Sequence, residues 1–91
     1  MHVTVISPER AVFDGAADAV VAPAFDGQVG ILPGHAPFLT LLGAGVLTVR
    51  QGGEGGGGSG GSASSRFQVS GGFLQVVDDA VRIVADLVDV S

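Results

Sequence analysis

The stretch GQVGILPGHAPFLT, residues 27–40, joins a short extended run to a stiff loop. Pro33 and Pro37 each fix one backbone φ angle and push the residue before them toward an extended conformation. Gly34 lies between the two prolines and supplies a positive φ where a turn needs one. The stretch therefore predicts a short strand followed by a preorganised loop that presents His35 at a fixed angle.

Strand-like runs recur on both sides of this stretch, about 8–12 residues apart, with Gly, Asp or Pro between them. Several runs are apolar on both faces, which is typical of central strands and of strands covered by a partner. No window shows a sustained helical period with caps, and the β-branched residues of 80–90 favour a strand. We therefore expect an all-β fold, a two-layer antiparallel β-sandwich of about eight to ten short strands, as one domain over residues 1–91. The predicted runs are 3–7, 10–14, 18–24, 28–32, 46–50, 67–70, 73–77 and 81–87.

The segment QGGEGGGGSGGSASS, residues 51–65, offers no side chain that can anchor a core. Its composition predicts a flexible, overlong hairpin loop, and it also resembles an engineered linker. Such a loop costs little, about 0.6 kcal/mol for each doubling of length. A phosphate-binding loop needs a helix N-terminus and usually a Lys-Ser or Lys-Thr pair, and the sequence shows neither.

The charge balance limits the partners of the chain. The chain has nine acidic residues and four arginines, for a net charge of −5. This charge disfavours the binding of nucleic acid and anionic lipid. The apolar runs are far shorter than the roughly 20 residues that span a bilayer, and the N-terminus lacks a signal-peptide pattern. We therefore expect no nucleic-acid partner and no direct membrane insertion.

The residues that carry chemistry are few and scattered. The chain has no cysteine, and its two histidines, His2 and His35, lie far apart in the sequence, so we expect no metal site and no cofactor. No Gly-x-Ser-x-Gly elbow is present, and we expect no catalytic residue. His35 is then either an interface contact or a structural histidine. The Gly71-Gly72 pair predicts a bulge or close packing, and Asp78-Asp79 a solvated turn.

A ligand- or carbohydrate-binding β-sandwich is the alternative function. Such modules usually present exposed aromatic side chains that stack on the ligand. This chain has no Trp and no Tyr, and we assign its five Phe residues to the core. The composition gives this alternative little support.

The run Gly-x-x-Gly-Ile-x-Pro-Gly-His-Ala-Pro over residues 27–37, followed by Leu39-Thr40, resembles the signature of the epsilon subunit of F-type ATP synthases. The resemblance continues on both sides and omits only the Gly/Ser segment. One departure is Gln75, where the family has an acidic residue. The further matching runs are VISPE (5–9), VFDG (12–15), GVLTV (45–49), SGGFLQV (70–76) and VAD (84–86).

The resemblance implies a non-catalytic subunit of the central stalk, or rotor, of a proton-translocating ATP synthase. Such a subunit links the gamma subunit to the membrane c-ring and aids torque coupling, as a peripheral part of the complex on the cytoplasmic face of the bacterial inner membrane. Most members continue into a two-helix segment that regulates ATP hydrolysis, and because the sequence ends at Ser91 we expect this chain to have no such segment. We therefore expect it to support coupling without inhibiting hydrolysis or binding ATP.

The resemblance and the stiffness of the loop also indicate where the partners bind. The expected gamma-subunit interface consists of Pro33, Gly34, His35, Ala36, Pro37 and Phe38. The expected c-ring interface consists of Phe25, Asp26, Gly27 and Gln28.

Overall fold

The computed structural model describes residues 1–51 and 63–90, and over these residues it contains eight strands and no helix. The expected all-β class is therefore confirmed. No helix among the described residues has the length and apolar character needed to cross a membrane. The strands are β1 (His2–Ile6), β2 (Ala11–Ala16), β3 (Ala19–Ala24), β4 (Gly27–Ile31), β5 (Phe38–Leu41), β6 (Ala44–Gln51), β7 (Ala63–Val77) and β8 (Ala80–Val90).

The two longest strands, β7 and β8, belong to both layers of the sandwich. The first half of β7 pairs with β6, its second half pairs with β5, and β8 accompanies it along both halves. The first layer therefore contains β4, β3 and β6 with the start of β7 and the end of β8. The second layer contains β5, the end of β7, the start of β8, β1 and β2.

One strand pair departs from the expected antiparallel arrangement, because β1 runs parallel to β8. The other pairs of named strands are antiparallel. Strands joined by a tight hairpin must be antiparallel, but β1 and β8 are separated by most of the chain, so no turn constrains their direction.

The strands β7 and β8 pass from one layer to the other at Gly71 and Gly72, whose φ angles are +74° and +108°. The register is the same on both sides of this point, so the feature is a kink and not a bulge. A Cβ atom on Gly72 would lie 1.9 Å from the carbonyl oxygen of Val84. The close-packing interpretation of the glycine pair is therefore the correct one.

The kink also reverses which side chains of β7 face the core. Before it, Phe67 and Val69 are buried, whereas after it Leu74 and Val76 are buried and Phe73 is 37% exposed. In a regular strand, successive side chains point to opposite faces of the sheet. Gly71 and Gly72 both have a positive φ, which interrupts this alternation, so it resumes with the opposite phase after the kink.

The core lies between the layers and is built from small and branched apolar side chains. Phe13 of the second layer meets Phe67 of the first layer edge to face, with ring centroids 6.3 Å apart. Each fully buried Val, Leu or Ile contributes about 1.5–3 kcal/mol relative to exposure. The buried apolar residues are Val3, Val5, Ala17, Val20, Ala22, Ile31, Leu42, Leu47, Val49, Phe67, Val69, Leu74, Val76, Val81, Ile83 and Ala85.

The assignment of all five Phe residues to the core is wrong. Phe67 is buried, and Phe13 and Phe38 pack partly against the core. Phe25 is 77% exposed because it lies in the β3–β4 turn, and Phe73 points outward because of the reversal at the kink.

The ladder between β6 and β7 extends into the segment expected to form a loop. Gln51 pairs with Ala63, and Ser64 and Ser65 pair with residues of β6. Small polar residues still carry a backbone donor and acceptor, which is enough to pair with a well-formed neighbouring strand. The rest of the predicted flexible loop, residues 52–62, lies outside the described residues.

Replacement of Gly72 by Ala tests the close approach at the kink. Because the new Cβ meets backbone atoms of β8 at a positive φ, we expect a loss of about 3 kcal/mol or more in unfolding free energy. The control is Gly30→Ala in β4, where a Cβ meets nothing within 4 Å and the expected change is within about 0.5 kcal/mol. Urea denaturation measures both, and equal losses would contradict the role of the kink.

Candidate functional site

The outer face of the second layer carries a continuous row of apolar side chains. Adjacent members face each other across neighbouring strands, and the row crosses β5, β7, β8, β1 and β2. None of them is buried, and Leu41 is 61% exposed. The members of this outer apolar row are Leu41, Phe73, Val84, Ile6 and Ala11.

The neighbouring row on the same face is mostly polar and contains one cation, Arg82. It runs through facing residues of the same five strands: Leu39, Gln75, Arg82, Thr4 and Asp14. Within residues 1–51 and 63–90, the ion pairs are those of Met1 with Asp79 and of His2 with Asp14. The guanidinium of Arg82 is therefore free, in this part of the chain, to pair with a carboxylate of a partner.

At the β5 edge of this face, the two rows and the β3–β4 turn form an open apolar groove of about 670 Å³. The backbone N–H of Phe25 donates to the carbonyl oxygen of Leu41 at 2.9 Å, which holds the turn against the end of β5. Exposed apolar patches of this kind mark interaction sites on soluble proteins. The groove is lined by Phe25, Leu39, Thr40, Leu41, Phe73 and Gln75.

The loop between β4 and β5 has the stiff geometry expected from its prolines and glycine. Gly34 has a φ of +83°, as the sequence predicts. The backbone N–H of His35 donates to the carbonyl oxygen of Leu32 at 3.1 Å and closes a turn. Five residues of the loop are exposed, while His35 and Phe38, the first residue of β5, are half-buried.

The imidazole of His35 is held on two sides. Its ring packs edge to face against Phe38, with centroids 5.6 Å apart, and Nδ1 lies 2.7 Å from the carbonyl oxygen of Ala36. Because a carbonyl oxygen only accepts hydrogen bonds, this contact requires a proton on Nδ1. In the neutral ring, Nε2 then remains as an acceptor for a partner.

The β3–β4 turn presents the four residues expected at the second interface. Phe25 and Asp26 form the turn, and Gly27, with a φ of +136°, begins β4 together with Gln28. All four residues are exposed.

The structure separates the two expected interfaces instead of bringing them together. The β4–β5 loop precedes β5, whereas the β3–β4 turn is bonded to the last residue of β5. The two segments therefore lie at opposite ends of this strand, and the apolar groove runs between them. The groove residues Leu39, Leu41 and Phe73 are not among the residues predicted from the sequence. The apolar run FLTLL over 38–42 is the signal that indicates a covered strand here.

The chemistry that this face offers is that of a contact surface. Within the described ranges, no group of three or more His, Cys, Asp or Glu side chains converges on one point, and no polar or charged side chain is buried. What the face provides is apolar area, one cation and two rigid segments at its border.

The comparison with protein families gives a match over nearly the whole chain. Residues 1–89 match the model described as the β-sandwich domain of the ATP synthase delta/epsilon chain. The ATP synthase epsilon chain of Leptospira borgpetersenii is 40% identical over 86 residues, which cover 94% of this chain and 61% of that protein. That of Moorella thermoacetica is 41% identical over 91 residues, which cover 100% of this chain and 62% of that protein. The chain thus spans about three fifths of the length of these relatives.

Two solved structures share the fold. One is a chain of the mitochondrial ATP synthase of Euglena gracilis, in a structure with OSCP, F1 and the c-ring, at a TM-score of 0.80 and 24% identity over 97% of this chain and 51% of that one. The other belongs to the central stalk and c-ring of the mitochondrial ATP synthase of Tetrahymena thermophila. Its TM-score is 0.72 and its identity 22%, over 98% of this chain and 65% of that one. At these identities the likeness is one of fold.

Proposed function

Because this chain belongs to the family of ATP synthase delta/epsilon chain β-sandwich domains, we propose that it is a non-catalytic subunit of the central stalk of an F-type ATP synthase. In this role it links the gamma subunit to the membrane c-ring and helps to transmit torque during proton-driven ATP synthesis. The complex lies on the bacterial inner membrane, with this subunit at its cytoplasmic face. The observation that best supports the role is the outer apolar row, which crosses five strands of one layer.

The gamma subunit is the occupant that we assign to the outer face of the second layer. A large apolar surface on a soluble domain is stabilised when a partner removes it from water. A sheet face and a proline-stiffened loop also lose little conformational freedom on docking, which favours affinity. The loop with His35 adjoins this face at the start of β5 and extends the same interface.

The c-ring is the partner that we assign to the β3–β4 turn. The turn projects from the end of the sandwich with Asp26 exposed, so its carboxylate is available to a basic group of the ring's polar loops. An exposed charge pair of this kind contributes little affinity, about 0–1 kcal/mol, and acts mainly on association rate and salt dependence.

The shared strands β7 and β8 suit a subunit that transmits force. The gamma contact lies on the second layer, and the ring contact projects from the hairpin of β3 and β4 in the first layer. Both layers contain segments of the same two strands, and the close-packed core between them deforms little. A load applied to one layer therefore reaches the other through continuous backbone.

The alternative of a small-ligand module receives less support from the geometry. Sites for small molecules are concave and enclose most of the ligand surface. The groove in this structure is open along the face of a sheet and continues into the outer apolar row. An extended surface of this shape matches another protein better than a small molecule.

Replacement of Leu41 by Asp tests the gamma assignment. A carboxylate in the middle of the groove resists desolvation, so we expect affinity for the purified gamma subunit to fall at least about tenfold. Because Leu41 is already exposed, the urea midpoint changes little. The control is Val46→Asp, an exposed position on the outer face of the first layer, which should bind like the parent chain. Equal affinities of the two variants in titration calorimetry would contradict the assignment.

Charge reversal of Arg82 tests whether gamma meets the polar row as well. We expect Arg82→Glu to reduce gamma affinity about fivefold and to weaken its decline with salt, because an attractive charge becomes repulsive. Arg66→Glu makes the same charge change on the exposed face of the first layer and serves as control. An equal effect of both variants would attribute the change to net charge and remove Arg82 from the interface.

Neutralisation of Asp26 tests the ring assignment. We expect Asp26→Asn to reduce the salt dependence of stalk binding to c-rings in liposomes, with an affinity change of about 1 kcal/mol or less. Asp18→Asn removes the same charge at the opposite end of β3 and should behave like the parent chain. An unaltered salt dependence in Asp26→Asn would exclude the turn from the contact.

A further inference from the structure

The turn between β7 and β8 places two aspartates in the left-handed backbone region. The φ angles of Asp78 and Asp79 are 52° and 61°. Glycine or asparagine adopts this conformation as well as or better than aspartate, so the turn itself does not require a carboxylate. The presence of a carboxylate at position 79 is therefore explained by the groups that it contacts.

Asp79 connects three separate parts of the chain. Its carboxylate oxygen Oδ1 accepts the backbone N–H of Gly34 at 2.9 Å. Its other oxygen, Oδ2, lies 3.7 Å from the amino group of Met1, and its backbone carbonyl accepts the N–H of His2 at 3.1 Å. The β7–β8 turn is thus bonded both to the start of β1 and to the middle of the β4–β5 loop.

The hydrogen bond from Gly34 to Asp79 differs from the other constraints on the loop, which act only between residues of the loop itself. Pro33 and Pro37 restrict the internal dihedral angles, and the bond from His35 to Leu32 closes the turn. These constraints shape the loop but do not fix its direction relative to the sheet. Within the described residues, the hydrogen bond from Gly34 to Asp79 is the one that connects residues 33–37 to an element outside the loop.

We propose that Asp79 is a positioning residue that holds the β4–β5 loop in the orientation in which it docks on the gamma subunit. The gamma contact rests on the proposed function, whereas the orientation of the loop is a property of the chain alone. A charged acceptor makes a stronger hydrogen bond than a neutral one, which suits a link to an exposed loop. His35 follows Gly34 directly, so the bond also sets the approach of the imidazole.

Three variants separate this role from that of the turn. Asp79→Gly keeps the left-handed turn and removes the acceptor. Asp79→Asn keeps both the turn preference and an amide oxygen that accepts a hydrogen bond. Asp78→Gly relaxes the same turn and leaves Asp79 in place, so it is the matched control.

The first measurement is solvent exchange of the Gly34 amide by NMR in the 91-residue chain. We expect exchange about tenfold faster in Asp79→Gly, near the parent rate in Asp79→Asn, and unchanged in Asp78→Gly. The urea midpoints of all three variants should stay close to that of the parent, because glycine and asparagine both suit this turn and the partly exposed ion pair of Asp79 with Met1 contributes about 1 kcal/mol or less. Equal exchange of Gly34 in Asp79→Gly and the parent would overturn the proposal.

The second measurement is affinity for the gamma subunit, with His35→Ala as an added variant. We expect a reduction of about fivefold in Asp79→Gly, recovery in Asp79→Asn and a reduction in His35→Ala. If His35→Ala weakens binding while Asp79→Gly binds like the parent, the positioning role is overturned. If Gly34 exchanges faster but neither variant weakens binding, the loop is not part of the gamma interface, and that part of the proposed function fails with the docking role of Asp79.

Discussion

The close approach of Gly72 to the carbonyl group of Val84 is the contact on which the rest of the structure depends. It allows β7 and β8 to leave one layer and enter the other without a change of register. Any side chain at this point would push the two strands apart, because the obstacle is backbone and cannot rotate away. The layers, the core between them and the outer face of the second layer all follow from this passage.

The kink also connects the fold to the docking surface. Because the alternation of β7 reverses at the two glycines, Phe73 lies outside and joins the outer apolar row, while Leu74 enters the core. Had the alternation continued, the row would have been interrupted at its second strand and a phenyl ring would have entered the core. The same two residues therefore complete the core and expose the surface that we assign to gamma.

Sequence reasoning succeeded where the cause was local. The prolines and Gly34 predicted the loop at 33–37, and β-branched runs between turn residues predicted the all-β class. It failed where the cause was distant or where a periodicity changed phase. The exposure of Phe73 follows from the reversal at the kink, which an alternating pattern of inward and outward side chains does not predict. Asp79 lies 45 residues from Gly34, whose backbone N–H it accepts. The outer apolar row needs the register of five strands, which no single segment contains.

The parallel pairing of β1 with β8 has a mechanical consequence. Residues 2–6 and residues 80–84 point the same way, so a force that pulls His2 away from Val84 acts along both segments. The five facing residue pairs are then loaded in shear, so all five bear the force at the same time. In an antiparallel hairpin pulled from its open end, the pairs instead separate one after another. The contact between β1 and β8, which joins β1 and β2 to the rest of the second layer, thus resists tension along these strands.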